Sequence, residues 1–268
     1  MTRVPVLQID SFTDRPFAGN PAAVVLLRAD EDVDDAWMQQ VAAEMNLSET
    51  AFVAPRTDGE WDLRWWTPAV EVDLCGHATL AAAHALYETG RLGDGAVAVS
   101  FHTRSGVLRA SVDGRTITLD LPVIASEVFP VPEAVRKIVG VDVQEYRESR
   151  AFAIVVVNDP EAVRSLQADL DAIAALDREL FIVTAPSDTD VYDTESRVFC
   201  PTIGIDEDPV TGAAHCALAS YWTKRLGRDT FVARQVSTRG GHMRVRLDGD
   251  RVHLTGAAVT VIRGELDS

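Results

Sequence analysis

The sequence is short of cysteine, of long apolar runs and of positive charge, and each shortage removes a class of protein. Its three cysteines, Cys75, Cys200 and Cys216, are too few and too odd in number for a disulfide framework, and no CxxC pair offers a zinc site. A reduced, cytoplasmic protein is the expectation. No apolar run approaches membrane-spanning length; the longest, such as Ala151 to Val157, are strand-sized. The opening Met-Thr-Arg-Val-Pro-Val has no signal-peptide core. Twenty-five basic residues against 41 acidic ones give a net charge of −16, which repels phosphate backbones and anionic membranes. Nucleic acid and lipid are therefore disfavoured as partners, and an anionic substrate needs local donors to hold it. Also missing are a GxGxxG turn, a Walker loop and a GxSxG elbow.

What is present suits two domains of ordinary size: 268 residues, 47% hydrophobic and 25% charged. One stretch occurs twice, about half the chain apart. Thr103-Arg-Ser-Gly-Val-Leu-Arg-Ala-Ser-Val-Asp-Gly114 matches Thr238-Arg-Gly-Gly-His-Met-Arg-Val-Arg-Leu-Asp-Gly249 in its Thr, Arg, Gly, Arg, Asp and Gly. Upstream of each copy a Gly-containing turn leads into an alanine-rich segment, Leu74 to His84 and Pro209 to Ala219. A duplicated chain folds most simply as two similar lobes with a ligand cleft between them. The three prolines of Pro122 to Pro132 mark the linker, which places the lobes at 1–123 and 124–268, with the last strand free to pack on the first lobe.

Local patterns fill in the lobes. Val4 to Ile9, Ala22 to Leu27, Ala51 to Val53 and Trp61 to Thr67 read as strands, and Asp32 to Met45 as a helix. Asn46 to Thr50 reads as a polar interruption. Thr79 to Tyr87 reads as a helix closed by Gly90, and its nearly all-round apolarity suggests a helix enclosed by sheet. An Asp113-Gly hairpin follows. In the second half a helix begins at Val131. Glu161 to Ala174 and His215 to Leu226 read as helices, and Phe152 to Val157, Phe181 to Thr184 and Ser196 to Cys200 as strands, before a hairpin centred on Gly249.

Three places carry chemistry. His77, in Gly76-His77-Ala-Thr, puts an imidazole just before a helix; its duller reading is a hydrogen-bonded turn residue. Asp206-Glu-Asp-Pro-Val-Thr-Gly212 puts three acids in a glycine-ended turn before another helix, where Asp206 and Glu207 read as solvated acids and Asp208 serves equally as an N-cap. Glu49, in Ser48-Glu-Thr, is a lone carboxylate among apolar neighbours, and a lone Glu is usually surface. His84 and Cys216 read as core. His102, His242 and His253 are too dispersed to form a metal site. Helix starts present unpaired N–H groups to anions. A carboxylate base, an imidazole and such donors together suit proton abstraction next to a carbonyl or carboxylate.

Four ordered motifs carry a resemblance. Asp10-Ser-Phe-Thr-Asp…Phe17-Ala-Gly-Asn-Pro-Ala-Ala-Val24, Asn46-Leu-Ser-Glu-Thr-Ala-Phe52, Arg64-Trp-Trp-Thr-Pro…Glu71-Val-Asp-Leu-Cys-Gly-His-Ala-Thr79 and Glu207-Asp-Pro-Val-Thr-Gly-Ala-Ala-His215 closely resemble the phenazine-biosynthesis isomerase (PhzF-like) family. The resemblance implies an α+β, diaminopimelate-epimerase-like fold: two pseudo-symmetric lobes, each a curved, mostly antiparallel sheet around a central helix. It implies a cofactor-free, metal-free isomerase on a small carboxylate-bearing metabolite, working as a homodimer. Glu49 matches the family's shuttling acid/base, and His77 and Asp208 its assisting polar residues. Ser48, Gly76, Thr211, Gly212 and Ala213 match substrate-binding positions. Ala213 departs from the family's frequent serine, which helps to hold the substrate carboxylate. Burial is expected to raise the Glu49 pKa toward neutrality. Epimerases of the same fold, with one thiol per lobe, are the competing resemblance. Cys75 stands near the first thiol, but the repeat gives Val210 or Thr211 as its mate, and neither forms a thiolate. A one-thiol or serine-assisted epimerase or dehydratase on an amino or hydroxy acid, and a silent binding protein on an enzyme fold, remain as alternatives.

Overall fold

The computed structural model describes residues 3–29, 31, 33–92, 97–149 and 151–267. It divides into two compact units, Met1–Leu121 with His253–Ser268, and Pro122–Val252. Among the described residues no helix is long and apolar enough to cross a membrane.

In the first unit the chain runs β1 (Arg3–Ser11), β2 (Asn20–Leu26), α1 (Asp35–Met45), β3 (Glu49–Pro55), β4 (Trp61–Trp66), β5 (Glu71–Val72), α2 (Gly76–Glu88), β6 (Ala98–Thr103), β7 (Gly106–Asp113) and β8 (Thr116–Pro122). The last strand, β16 (Arg251–Asp267), lies beside β8 and also pairs antiparallel with β1. The order β1-β2-β3-β4-β6-β7-β8-β16-β1 therefore closes on itself, which leaves these strands no open edge. α2 packs on β1, β2, β3 and β7, and its residues His77 to Leu86 are all buried. A helix apolar all round needs such a sleeve, as its composition suggested. α1 covers the outside: Met38, Val41 and Ala42 meet Val4, Val6, Ala23, Val25 and Phe52. Ala23 and Val25 face α1, so their strand neighbours Ala22, Val24 and Leu26 face the other way, and β2 is buried along nearly its whole length. Asp34 caps α1 by accepting from the Trp37 N–H at 2.8 Å. Asp32, the expected first residue of that helix, lies outside the described residues.

The second unit runs β9 (Glu127–Phe129), α3 (Glu133–Val139), β10 (Glu145–Glu148), β11 (Phe152–Val156), α4 (Pro160–Arg164), α5 (Leu170–Ala174), β12 (Leu180–Pro186), β13 (Thr194–Phe199), α6 (Gly212–Leu226), β14 (Thr230–Gln235) and β15 (Gly241–Asp248). Its strands follow the order β9 to β15. Val135 and Ile138 of α3, Val163 of α4 and Ile173 of α5 pack with Val155, Phe181 and Val183 of the sheet. α6 lies against β14 and β15, and the buried Trp222 indole N–H donates to Thr184 Oγ1 at 3.1 Å.

The pairing senses repeat. From β1 to β7 they run antiparallel, parallel, antiparallel, parallel, antiparallel, and from β10 to β15 they do the same. The duplicated stretch falls on equivalent strands: Leu108 and Ala110 of β7, and Met243 and Val245 of β15, are buried at matching places between exposed or half-buried neighbours. α2 and α6 occupy equivalent places, with N-caps Cys75 and Thr211. In both first turns a side chain closes back on the N-cap carbonyl, Thr79 Oγ1 on Cys75 at 2.5 Å and His215 Nδ1–H on Thr211 at 2.8 Å.

The structure moves several boundaries. α2 begins at Gly76 and α6 at Gly212, so His77 lies inside a helical turn instead of before it. Glu49 opens β3, not a polar interruption, because Thr50 pairs with Trp66 and Ala22 pairs with Glu49. The helix expected over Glu161 to Ala174 is two short ones. Ser165 Oγ bonds back to the Glu161 carbonyl, Asp169 caps a fresh start at Leu170 by accepting the Ala172 N–H, and Arg197 holds the Leu166 carbonyl between them. Glu207 is no free solvated acid, since Arg197 grips it through two nitrogens at 2.7 and 2.9 Å.

One turn lets β1 reach β2. Gly19 has φ +65°, and a Cβ there would stand 2.1 Å from the Ser11 carbonyl oxygen. Gly114, at φ +59°, has open space around it. Gly114→Ala is expected to cost about 1–2 kcal/mol, the strain of a left-handed residue alone, and Gly19→Ala clearly more. Chemical denaturation of both variants checks the ranking; equal losses would contradict the close approach.

Candidate active site

The elements of the first unit bring three ionisable side chains together. Glu49 starts β3, Cys75 is the N-cap of α2, and His77 lies in that helix's first turn. His77 Nε2 stands 3.2 Å from Glu49 Oε2, and Cys75 Sγ stands 3.5 Å from His77 Nδ1. The Glu49 side chain is only 15% exposed and that of His77 6%. The 3.2 Å contact is close enough for charge attraction but is not aligned as a hydrogen bond. Glu49 Oε2 and His77 Nε2 thus have no hydrogen-bond partner among the described residues. Two buried polar atoms left this way sit where a polar ligand would satisfy them.

The backbone around the cluster is pinned. Ser11 Oγ donates to the His77 carbonyl at 2.8 Å, tying the start of α2 to the end of β1. Ser48 Oγ lies 3.4 Å from Asn20 Oδ1, and Ser11 and Asn20 face each other across β1 and β2. The buried Asp10 carboxylate accepts the Phe17 N–H at 2.7 Å and fixes the loop between them.

Charge is shared within the cluster. Burial pushes the Glu49 carboxyl up, but the His77 imidazole, helped by Ser48 and Cys75, outweighs it and leaves the group below its ordinary 4.5. This reverses the expectation of a raised pKa, because the charge partner wins over desolvation. Burial opposes charge on His77, yet the neighbouring Cys75 sulfur and Glu49 carboxylate carry its pKa well above 6.5. Burial and the Glu49 charge raise the Cys75 thiol. Within the cluster charge is thus favoured on Glu49 and His77 and disfavoured on Cys75.

In the second unit the Asp208-to-Gly212 turn forms its own network. Asp208 does not cap α6. Thr211 holds that place, and its hydroxyl donates to Asp208 Oδ2. Gln235, fully buried, accepts the Thr211 N–H at 2.9 Å and donates to the Asp208 carbonyl at 2.6 Å. Gly212 is buried and Ala213 half-buried at the helix start. His215 keeps its Nδ1 proton on the Thr211 carbonyl, and burial brings its pKa down to about 4. Burial also pushes the Cys216 thiol up to about 12, so both are inert core groups.

Cys75, Ser11, Asn20 and Gln235 were not singled out by sequence for these roles. The legible signal was a polar residue at an inward strand position, as for Gln235, or at a strand end, as for Ser11 and Asn20.

Glu49, Cys75 and His77 lie within reach of one cation, as do Asp58, Glu60 and His102. In the first group the imidazole turns one nitrogen to sulfur and the other to carboxylate. The second group is more exposed, and His102 is already engaged with Glu60.

The pair has a signed effect on stability. The raised His77 contributes stability that is full below pH 6.5 and is lost as pH rises through its folded-state midpoint. The lowered Glu49 contributes stability present above pH 4.5 and lost as pH falls through its own midpoint. NMR titration is expected to place the His77 midpoint above 6.5 in the wild type and to move it down in Glu49→Gln. An unmoved midpoint would show that the carboxylate does not hold the charge.

Comparison with known proteins agrees with this architecture. Residues 9–264 match the family described as phenazine biosynthesis-like protein, PhzC-PhzF. An uncharacterized isomerase of Halalkalibacterium halodurans is 43% identical over 99% of both chains. The crystal structure of a PhzF-family protein from Enterococcus faecalis superposes with a TM-score of 0.93 at 37% identity over 100% of both chains. A hydroxyproline epimerase from Agrobacterium vitis, at 11% identity, TM-score 0.64 and coverage of 98% and 92%, shares the fold alone. With two β-rich units around buried helices and a match along nearly its whole length, the chain belongs to the phenazine biosynthesis-like (PhzC-PhzF) family.

Proposed function

We propose that the protein is a cofactor-independent isomerase that moves a proton between two carbons of a small carboxylate-bearing metabolite, with Glu49 as the acid/base. The observation that carries this reading is the buried Glu49–His77 pair, with facing oxygen and nitrogen left without hydrogen-bond partners. An ionised carboxylate accepts a proton from carbon, and an adjacent imidazolium offers its own proton to the oxygen or nitrogen on which negative charge collects. As Glu49 becomes neutral, its hold on the imidazolium weakens, so His77 becomes the stronger acid when substrate charge appears. The proton that Glu49 takes from one carbon is returned at another, and no oxidant or reductant enters the balance. The relative named an isomerase is consistent with this chemistry.

The start of α2 suits the substrate's carboxylate. Cys75 makes no side-chain cap bond, which leaves first-turn N–H groups and the positive end of a 13-residue helix beside His77. In this reading Ser48 and Gly76 contact substrate, and Asp208, Thr211, Gly212 and Ala213 keep the assisting and binding roles expected of them. An epimerase that uses Cys75 as a thiolate base is less favoured, because the thiol is raised and the equivalent N-cap is Thr211.

A thermal-shift screen of small carboxylates identifies ligands, since one at a hundred times its Kd stabilises by about 2.7 kcal/mol. On a substrate verified in that way, Glu49→Gln is expected to stay folded and to lose about 100-fold or more in kcat. Full turnover by that variant would sink the mechanism.

A further inference from the structure

The two helix starts share a departure from ordinary capping. An N-cap side chain normally accepts from the first-turn N–H groups. Cys75 and Thr211 occupy the N-cap positions of α2 and α6, and neither makes that bond. Each turns instead to an ionisable group of its own unit. Thr211 Oγ1 donates to the Asp208 carboxylate, and Cys75 Sγ lies 3.5 Å from His77 Nδ1. The imidazole is thereby addressed on both nitrogens, sulfur at Nδ1 and the Glu49 carboxylate 3.2 Å from Nε2.

We propose that Cys75 is a positioning residue for His77, its sulfur accepting the Nδ1–H so that the exchangeable proton is always the one on Nε2, facing Glu49. The inference rests on reading His77 as the acid beside Glu49. Sulfur is a weak acceptor with a long reach, and 3.5 Å suits it. Ring orientation at an acid/base site is commonly set by the group that engages the second nitrogen. Cys75 and Glu49 are the titratable side chains that face this ring. Burial and the Glu49 charge disfavour the thiolate, which suits a sulfur that orients the ring. When the imidazolium releases its Nε2 proton, the neutral ring keeps Nδ1–H on sulfur and needs no rotation to recover it. A thiol is thus retained at a helix start where a hydroxyl or carboxylate would cap better.

The test is ¹⁵N-histidine long-range correlation NMR on the full chain, read above the His77 titration in wild type, Cys75→Ala and Cys75→Ser. Wild type is expected to show the neutral Nδ1–H tautomer. Cys75→Ala is expected to lose it in favour of Nε2–H, and Cys75→Ser to restore it through its hydroxyl oxygen. A wild-type ring protonated on Nε2, or a Cys75→Ala ring unchanged from wild type, would overturn the assignment. A serine variant that behaves like alanine would assign Cys75 to packing, and would also overturn it. These spectra involve no turnover, so failure of the isomerase reading and failure of this inference are separately visible.

Discussion

The buried attraction between Glu49 and His77 is the constraint on which the rest of the site depends. Two charged groups with little solvent around them are costly to fold around, and replacing such pairs with apolar residues is often neutral or stabilising. Here the neighbours overcome desolvation in both partners: His77 holds the carboxyl below its ordinary value, and Cys75 together with Glu49 holds the imidazole above its own. The result is a carboxyl and an imidazole 3.2 Å apart, each held toward its charged form. Neither atom at the contact is satisfied by a hydrogen bond. That combination makes poor sense as a stabilising element and good sense as chemistry awaiting a polar ligand.

The fold supplies the rigidity that such a pair demands. β3 is paired along its length to β2 and β4, so its first residue, Glu49, has a fixed backbone. α2 is gripped by strands, and the Ser11 hydroxyl on its His77 carbonyl fixes the height of the first turn. The second unit repeats the frame without repeating the chemistry. By strand register, Glu49 at the head of β3 corresponds to Leu180 at the head of β12, since Thr50 pairs with Trp66 as Phe181 pairs with Phe199. His77 corresponds in the same way to Ala213, next after the helix-opening glycine. The duplicated scaffold thus places the Glu49–His77 pair in one unit, with Leu180 and Ala213 at the corresponding places of the other.

Much of the frame was legible in the chain itself. The duplicated Thr-Arg-to-Asp-Gly stretches identify equivalent strands, and the nearly all-round apolarity of the segment from Thr79 to Tyr87 demands a helix enclosed by sheet. Glu49, His77 and Asp208 were visible because ordered motifs surround them. Local patterning could not reveal what depends on distant partners. The closure of β16 on β1 joins the two ends of the sequence, and no periodicity announces it. The break at Ser165 to Asp169 comes from side-chain bonds to the backbone and from Arg197 reaching the Leu166 carbonyl. Burial alone gives the wrong sign for the Glu49 shift, because the imidazole that reverses it arrives from a segment 28 residues further on. Nothing in Cys-Gly-His shows that the first turn of α2 brings sulfur to the ring.

The central claim is a statement about where protons are, and neutron crystallography at neutral pH reads that directly. The account predicts a bare Glu49 carboxylate beside a His77 ring deuterated on both nitrogens. A deuteron on Glu49 facing a neutral imidazole would contradict it.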